Sequence, residues 1–189
     1  MSSFAGADAP FISPLNLSNN AVESLSGLEK LSGLVKLDLS SNKVSALDVS
    51  GSLSELKELN LENNAIDRIG SVGGLSSLES LRLVGNGALT NLDGLSSLSS
   101  LVSLNISATG VATVSELAKL SALKKLANLD ASNAPVSETA NCRQEVLLAL
   151  PALVSFNNEK YTTEERVEAR AVAKERAAKA AAPEEAKTE

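Results

Sequence analysis

LVKLDLSSNKV runs from Leu34 to Val44, and LKELNLENNAI follows the same plan from Leu56 to Ile66. A third stretch, LESLRLVGN, spans Leu78 to Asn86. The inner leucine of the pattern recurs at Leu15, Leu37, Leu59, Leu81, Leu104 and Leu129, at intervals of 22, 22, 22, 23 and 25 residues. A recurring interval of this size implies a stack of similar coils, each burying its apolar side against its neighbours. Leu37 and Leu39 are two residues apart and leave a strand on one face, while Asp38 leaves on the other. Asn20, Asn42, Asn64 and Asn86 then fall where the chain must turn, and an amide side chain there can bond loop backbone. The fifth copy carries Thr109 at this place. The sixth has Asn133 one place early and Ala131 where a leucine is expected, so the last two coils are expected to be irregular.

Between strands the leucines recur every three residues, as in Leu25, Leu28, Leu31 and Leu34 or Leu92, Leu95, Leu98 and Leu101. A period of three fits 3₁₀ turns or one short helix on the outer side of each coil. The L-x-x-L-x-L-x-x-N pattern resembles the leucine-rich repeat, in the dense variety named after a regulator of type-1 protein phosphatase. The expected fold class is therefore α/β: a leucine-rich repeat solenoid, a short horseshoe with a parallel concave sheet, a 3₁₀/α convex side and a C-terminal cap. The expected organisation is an irregular N-terminus over 1–11, a repeat domain over 12–158 with its cap at about 137–158, and a charged, Ala-rich helical tail over 159–189.

Composition narrows the function. Of 189 residues, 43% are apolar but only 2% aromatic, so the core must be aliphatic. The net charge of −6 and the lack of a basic stripe argue against direct nucleic-acid binding. No apolar run approaches the length of a membrane span, and the opening MSSFAGADAPF lacks the basic and apolar regions of a secretory signal. A single cysteine, Cys142, cannot form an internal disulfide, so a reducing home in the nucleus and/or cytoplasm is expected.

The array ends in LANLDASNAPVSETANCRQEVLLALPALVSF, residues 126–156. Arg143, Val146, Leu150-Pro151, Leu153 and Phe156 resemble the capped end shared by several intracellular leucine-rich repeat families. Arg143 to Leu150 reads as an amphipathic helix that turns Val146, Leu147 and Leu150 to the last coil and stops at Pro151. Such a cap covers an otherwise open sheet edge. The run from Val114 to Val136 is similar to the acidic leucine-rich nuclear phosphoproteins, without their acidic tail. That resemblance implies a regulator binding histones or a phosphatase. Glu159 to Arg166, EKYTTEER, resembles the cap extension of the spliceosomal A-prime leucine-rich protein and of ciliary and centrosomal relatives, which implies a structural adaptor in a ribonucleoprotein or microtubule-based assembly.

In the tail, Thr162 and Glu165 can form a capping box. The helix from Thr163 to Ala182 has a weak apolar face, with Val167 and Val172 its only large apolar residues, and Pro183 stops it. It is expected to be solvated and to fray past Arg176, or else to dock a partner.

The chain has no histidine, which removes the commonest general base and most zinc sites. No catalytic, cofactor or metal site is expected, and no enzyme. The best candidate site is a protein-binding patch on the concave face: Asp38, Glu58, Asn60, Glu62 and Arg82, neighbours on adjacent central strands about 4.8 Å apart. The expected partner is another protein, with a basic protein and a phosphatase as candidates, and neither nucleic acid nor membrane. The structural alternative is an ordinary wet face on which Lys36 pairs with Glu58. Cys142 reads as a small cap residue.

Overall fold

The computed structural model describes residues 13–49, 51 and 53–181. The expectations for residues 1–11 and for a stop at Pro183 lie outside them. In chain order the strands are β1 (Leu15–Asn16), β2 (Lys36–Asp38), β3 (Ala46–Leu47), β4 (Glu58–Asn60), β5 (Arg68–Ile69), β6 (Ser80–Arg82), β7 (Ser103–Asn105), β8 (Asn128–Asp130), β9 (Ser155–Phe156) and β10 (Glu159–Lys160). The helices are α1 (Val114–Ala118), α2 (Cys142–Ala149) and α3 (Thr163–Ala181).

One sheet has the order β1-β2-β4-β6-β7-β8-β9-β10. Its parallel register aligns Leu15, Leu37, Leu59, Leu81, Leu104 and Leu129, the column set by the sequence interval. Phe156 extends that column opposite Leu129. The second inward column, Leu39, Leu61, Leu83, Ile106 and Ala131, is fully buried. Ala131 needs no leucine's volume there. The outer side of the coils carries 3₁₀ turns at Leu28–Lys30, Leu95–Ser97 and Lys119–Ala122, and the short helix α1. This fits the three-residue leucine period. A separate pair, β3 with β5, aligns Ala46 with Arg68 and Leu47 with Ile69, and no feature of the repeat pattern announced it.

The asparagines bind coil to coil. Asn64 accepts the Val44 N–H through Oδ1 at 2.9 Å and donates through Nδ2 to the carbonyls of Leu39, Leu61 and Glu62. Asn42 and Asn86 repeat the scheme one coil away on either side. These bonds satisfy backbone groups that the turn removes from the ladder. In the fifth coil the Thr109 hydroxyl donates only to the Ile106 carbonyl, at 2.7 Å.

Asn133 is not a displaced member of that row. It occupies another column, in which Asn19, Ser41, Asn63, Gly85, Ala108 and Asn133 all take positive φ, between 53° and 75°. The row position in the sixth coil is held by buried Ala134. Each coil thus turns through one left-handed residue, a conformation that asparagine and glycine adopt at least cost.

At the far end, α2 buries Val146 and Leu147, and Leu150 just beyond it, against the last coil, as its amphipathic pattern predicts. The chain then forms β9, turns through Asn157 and Asn158, both at positive φ, and returns antiparallel as β10. Two left-handed residues in a two-residue loop are the signature of a tight hairpin. The parallel sheet therefore ends in a hairpin.

The tail departs from expectation. Its capping box forms: the Thr162 N–H donates to Glu165 Oε2 at 2.7 Å, and the Glu165 N–H donates to Thr162 Oγ1 at 3.2 Å. But α3 is docked on the cap up to Arg176. Arg166 donates to the carbonyls of Pro151 and Leu153, Ala169 is buried, and Arg176 makes two bonds to the Glu145 carboxylate at 2.6 and 2.9 Å. The contact is made by one buried alanine and two arginine head groups, with no large apolar residue buried.

Candidate protein-binding face

Every strand of the main sheet turns alternate side chains to the concave side, so the candidate residues come from neighbouring coils. Asp38, Asn60 and Arg82 are register partners on β2, β4 and β6. Asn16, Asp38, Glu58, Asn60 and Arg82 line a shallow groove of about 420 Å³. Glu62 lies just beyond β4 and reaches this group through Arg82.

Glu58, Glu62 and Arg82 are already partnered. Lys36 Nζ lies 2.6 Å from Glu58 Oε1, and both side chains are about half exposed. Glu62 accepts from Arg82 Nε and forms an ion pair with the same guanidinium. Lys57 pairs with Glu79 at 3.5 Å. Sequence reasoning missed this last pair, although its members stand 22 residues apart, the same step that relates Lys36 to Glu58. Exposed pairs of this kind are worth about 0–1 kcal/mol each.

Asp38 and Asn60 bond their own loops. Asp38 Oδ1 accepts the Ser40 N–H at 2.8 Å, and Asn60 Oδ1 accepts the Glu62 N–H at 3.1 Å. Asn16, Asn105 and Asp130 make the same two-residue turn bond. This column is therefore structural along most of its length, and Arg82 is the member that breaks the pattern. Asp130 also accepts from the Ser132 hydroxyl at 2.7 Å and from Asn158 Nδ2 at 2.7 Å. Burial by itself would raise its carboxyl, but the hydrogen bonds from Ser132 and Asn158 outweigh that and hold it below the usual value.

The cap contains the densest polar cluster. Arg143 donates to Glu165 Oε1 at 2.5 Å and Oε2 at 3.2 Å, and to the Lys160 carbonyl at 2.8 Å. Its guanidinium lies 4.3 Å from the Tyr161 ring centroid. A recess of about 380 Å³ beside it is walled by Cys142, Arg143, Tyr161 and Glu165. Cys142 is buried, and that burial pushes its thiol up, away from the reactive thiolate. Among the described residues no group of three or more His, Cys, Asp or Glu side chains could hold a metal, and no helix is long and apolar enough to cross a membrane.

Comparison with known proteins agrees with the repeat geometry. The family model for leucine-rich repeats (two copies) matches residues 15–52 and 54–97. These residues carry leucine-rich repeats, and the chain folds as a leucine-rich repeat solenoid. No curated protein matches it at the level of sequence. Among solved structures, a chain of the Drosophila melanogaster SNF/U2A′ complex superposes with a TM-score of 0.59 at 22% identity, covering 87% of this chain and 86% of that one. Internalin C2 of Listeria monocytogenes gives 0.57 at 25% identity, covering 73% of this chain and 57% of its own length. A TLR13–ssRNA13 complex gives 0.56 at 27% identity, covering 67% of this chain but 18% of that one. As 158 solved chains match, the fold by itself selects no single partner. What it supplies is a non-enzymatic protein-binding module of leucine-rich repeats.

Proposed function

We propose that this chain is a structural adaptor that holds a protein partner on its concave face within a ribonucleoprotein-type assembly, in the nucleus or the adjoining cytoplasm. The observation that carries this reading is coverage in both directions. Most of this chain and most of the chain in the SNF/U2A′ complex align, so the likeness includes the cap as well as the repeats. The internalin and TLR13 chains extend well beyond the matched region. Asp38, Glu58, Glu62 and Arg82, with the neutral Asn60 among them, form the polar part of the docking face and orient the partner on approach.

The alternative is a regulator similar to the acidic nuclear phosphoproteins, binding histones or a phosphatase. The net charge of −6 favours it. The pairing of Glu58 and Glu62 with cations argues against it, because it leaves Asp38 as the one carboxylate of the candidate patch without a cation among the described residues.

Affinity purification from nuclear extract on the immobilised full chain, with quantitative mass spectrometry, separates these readings. An adaptor recovers one protein in stoichiometric amount, retained at raised salt and after nuclease treatment. Recovery of histones or a phosphatase alone supports the regulator. Recovery that disappears with nuclease overturns both and points to nucleic acid, the ligand in the TLR13 complex.

A further inference from the structure

The concave face changes character along its length. Around β2, β4 and β6 it carries the pairs Lys36–Glu58 and Glu62–Arg82 between coils, with Lys57–Glu79 at its rim. Over β7, β8 and β9 the register partners are Ser103, Asn128 and Ser155, and the only charged side chain on these strands is Asp130. One further column runs along the rim, linked coil to coil by its own backbone hydrogen bonds. It begins with Val35, Lys57 and Glu79, then becomes Val102, Ala127 and Val154. The Ala127 N–H donates to the Val102 carbonyl at 2.9 Å, and the Val154 N–H donates to the Ala127 carbonyl at 2.7 Å. The last three form a continuous apolar stripe on adjacent coils. Val154 is 45% exposed, one of two large apolar side chains so exposed among the described residues.

Asp130 lies at the end of β8, three residues after Ala127. All its hydrogen-bond partners are neutral, from Ser132, Asn158 and Asn105, and among the described residues no cation forms an ion pair with it. It shares this with Asp38 and differs in it from Glu58 and Glu62. A charge held by neutral donors keeps its attraction for an incoming cation, whereas a charge already paired has lost most of it.

We infer that the core of the partner contact lies on this uncharged half, over Val102, Ala127 and Val154, and that the partner is a protein segment presenting an apolar side chain there beside one Arg or Lys directed at Asp130. The cores of protein interfaces are depleted in charge, because covering an ion pair removes its hydration. The charged half then lies at the periphery, where it guides encounter. This inference rests on the protein-binding reading above.

The test repeats the nuclear-extract purification with folded full-length variants side by side. Recovery of the stoichiometric protein is expected to fall about tenfold for V102E/V154E. It is expected to stay within about twofold of wild type for K36S/E58S. D130N is expected to weaken recovery and make it less sensitive to salt. Melting curves establish that each variant is folded, and V154N replaces the double variant if that one melts early. A folded V102E/V154E or V154N chain that recovers the protein as wild type does, or loss of recovery with K36S/E58S, overturns the inference and leaves the adaptor reading standing. A wild-type chain that recovers no stoichiometric protein removes both.

Discussion

Tyr161 and Arg143 are joined twice. The Tyr161 hydroxyl donates to the Arg143 carbonyl at 2.9 Å, and the Arg143 guanidinium lies over the Tyr161 ring. The same guanidinium reaches the first turn of α3 through Glu165 and the β10 strand through the Lys160 carbonyl. One side chain thus ties α2, the hairpin and the tail together. Arg143→Ala leaves Glu165 and three strand carbonyls without this donor, and is expected to cost about 3 kcal/mol in urea unfolding. Arg143→Lys should not restore it, because an ammonium lacks the planar fork that serves these acceptors at once. Full stability in either variant would show that the hub contributes nothing.

The same cluster sets an acid limit. The bond to Arg143, then that from the Thr162 N–H, lowers Glu165 from its ordinary 4.5 to about 2. Its folded value lies below its unfolded one, so its stabilisation is complete above about 4.5 and is lost as pH falls towards about 2. Glu145, lowered by its bonds to Arg176, acts in the same direction. The melting temperature of the wild type is expected to drop across that window, and Glu165→Gln to make the drop shallower. Superimposable pH profiles for the two proteins would remove Glu165 from this role.

Asn64 has no ligand role in this scheme. Its amide completes the backbone bonding of two coils, and leucine at that place leaves the Val44 N–H and the carbonyls of Leu39 and Leu61 without it. Asn64→Leu is expected to cost about 1–3 kcal/mol, chiefly from the Val44 N–H left unpaired, since Asn42 and Asn86 still bond the two leucine carbonyls. Partner recovery per folded molecule should not change. A stable Asn64→Leu chain that no longer recovers its partner would reverse the assignment.

The cap belongs to the folding unit. A chain ending at Asn133 loses Val146, Leu147, Leu150, Leu153 and Phe156, all buried, at about 1.5–3 kcal/mol for each side chain. It is expected to aggregate or to melt far below the full chain. A chain ending at Arg176 keeps every described contact between tail and cap, and its melting temperature should match that of the full chain. A monomeric chain ending at Asn133 with an unchanged melting temperature would show that the last coil needs no cover.

The coils were legible because their signal is periodic. Leu37, Leu59 and Leu81 recur at one interval, and a parallel register follows directly from it. Asn42, Asn64 and Asn86 were legible for the same reason. The capping box at Thr162 and the helix that buries Val146 were also readable, since each is a local pattern. What escaped depends on neighbours far apart in the chain. Asp38 and Asn60 looked like free recognition groups, and only the turn geometry shows them bonded to the backbone two residues on. The docking of α3 escaped because it rests on one buried alanine, Ala169, and on arginine head groups that bond distant carbonyls and Glu145. Arg143 was visible as part of a cap motif, but its five acceptors come from residues 13 to 22 positions away and no local pattern names them.

The reversal of direction at Asn157 and Asn158 bears on how such a chain can change length. A parallel sheet of coils can in principle grow at either end, since each new coil finds the same edge. Here β10 runs backwards, and its outer edge no longer offers the register that another coil would need. Lengthening by duplication is therefore barred at this end and is easiest inside the array, between coils such as those of Leu37 and Leu59, where an inserted copy meets the same leucine, asparagine and left-handed neighbours above and below. The near-uniform 22-residue spacing of the first four coils, beside the 23 and 25 of the later steps, shows where such a copy would fit with least adjustment.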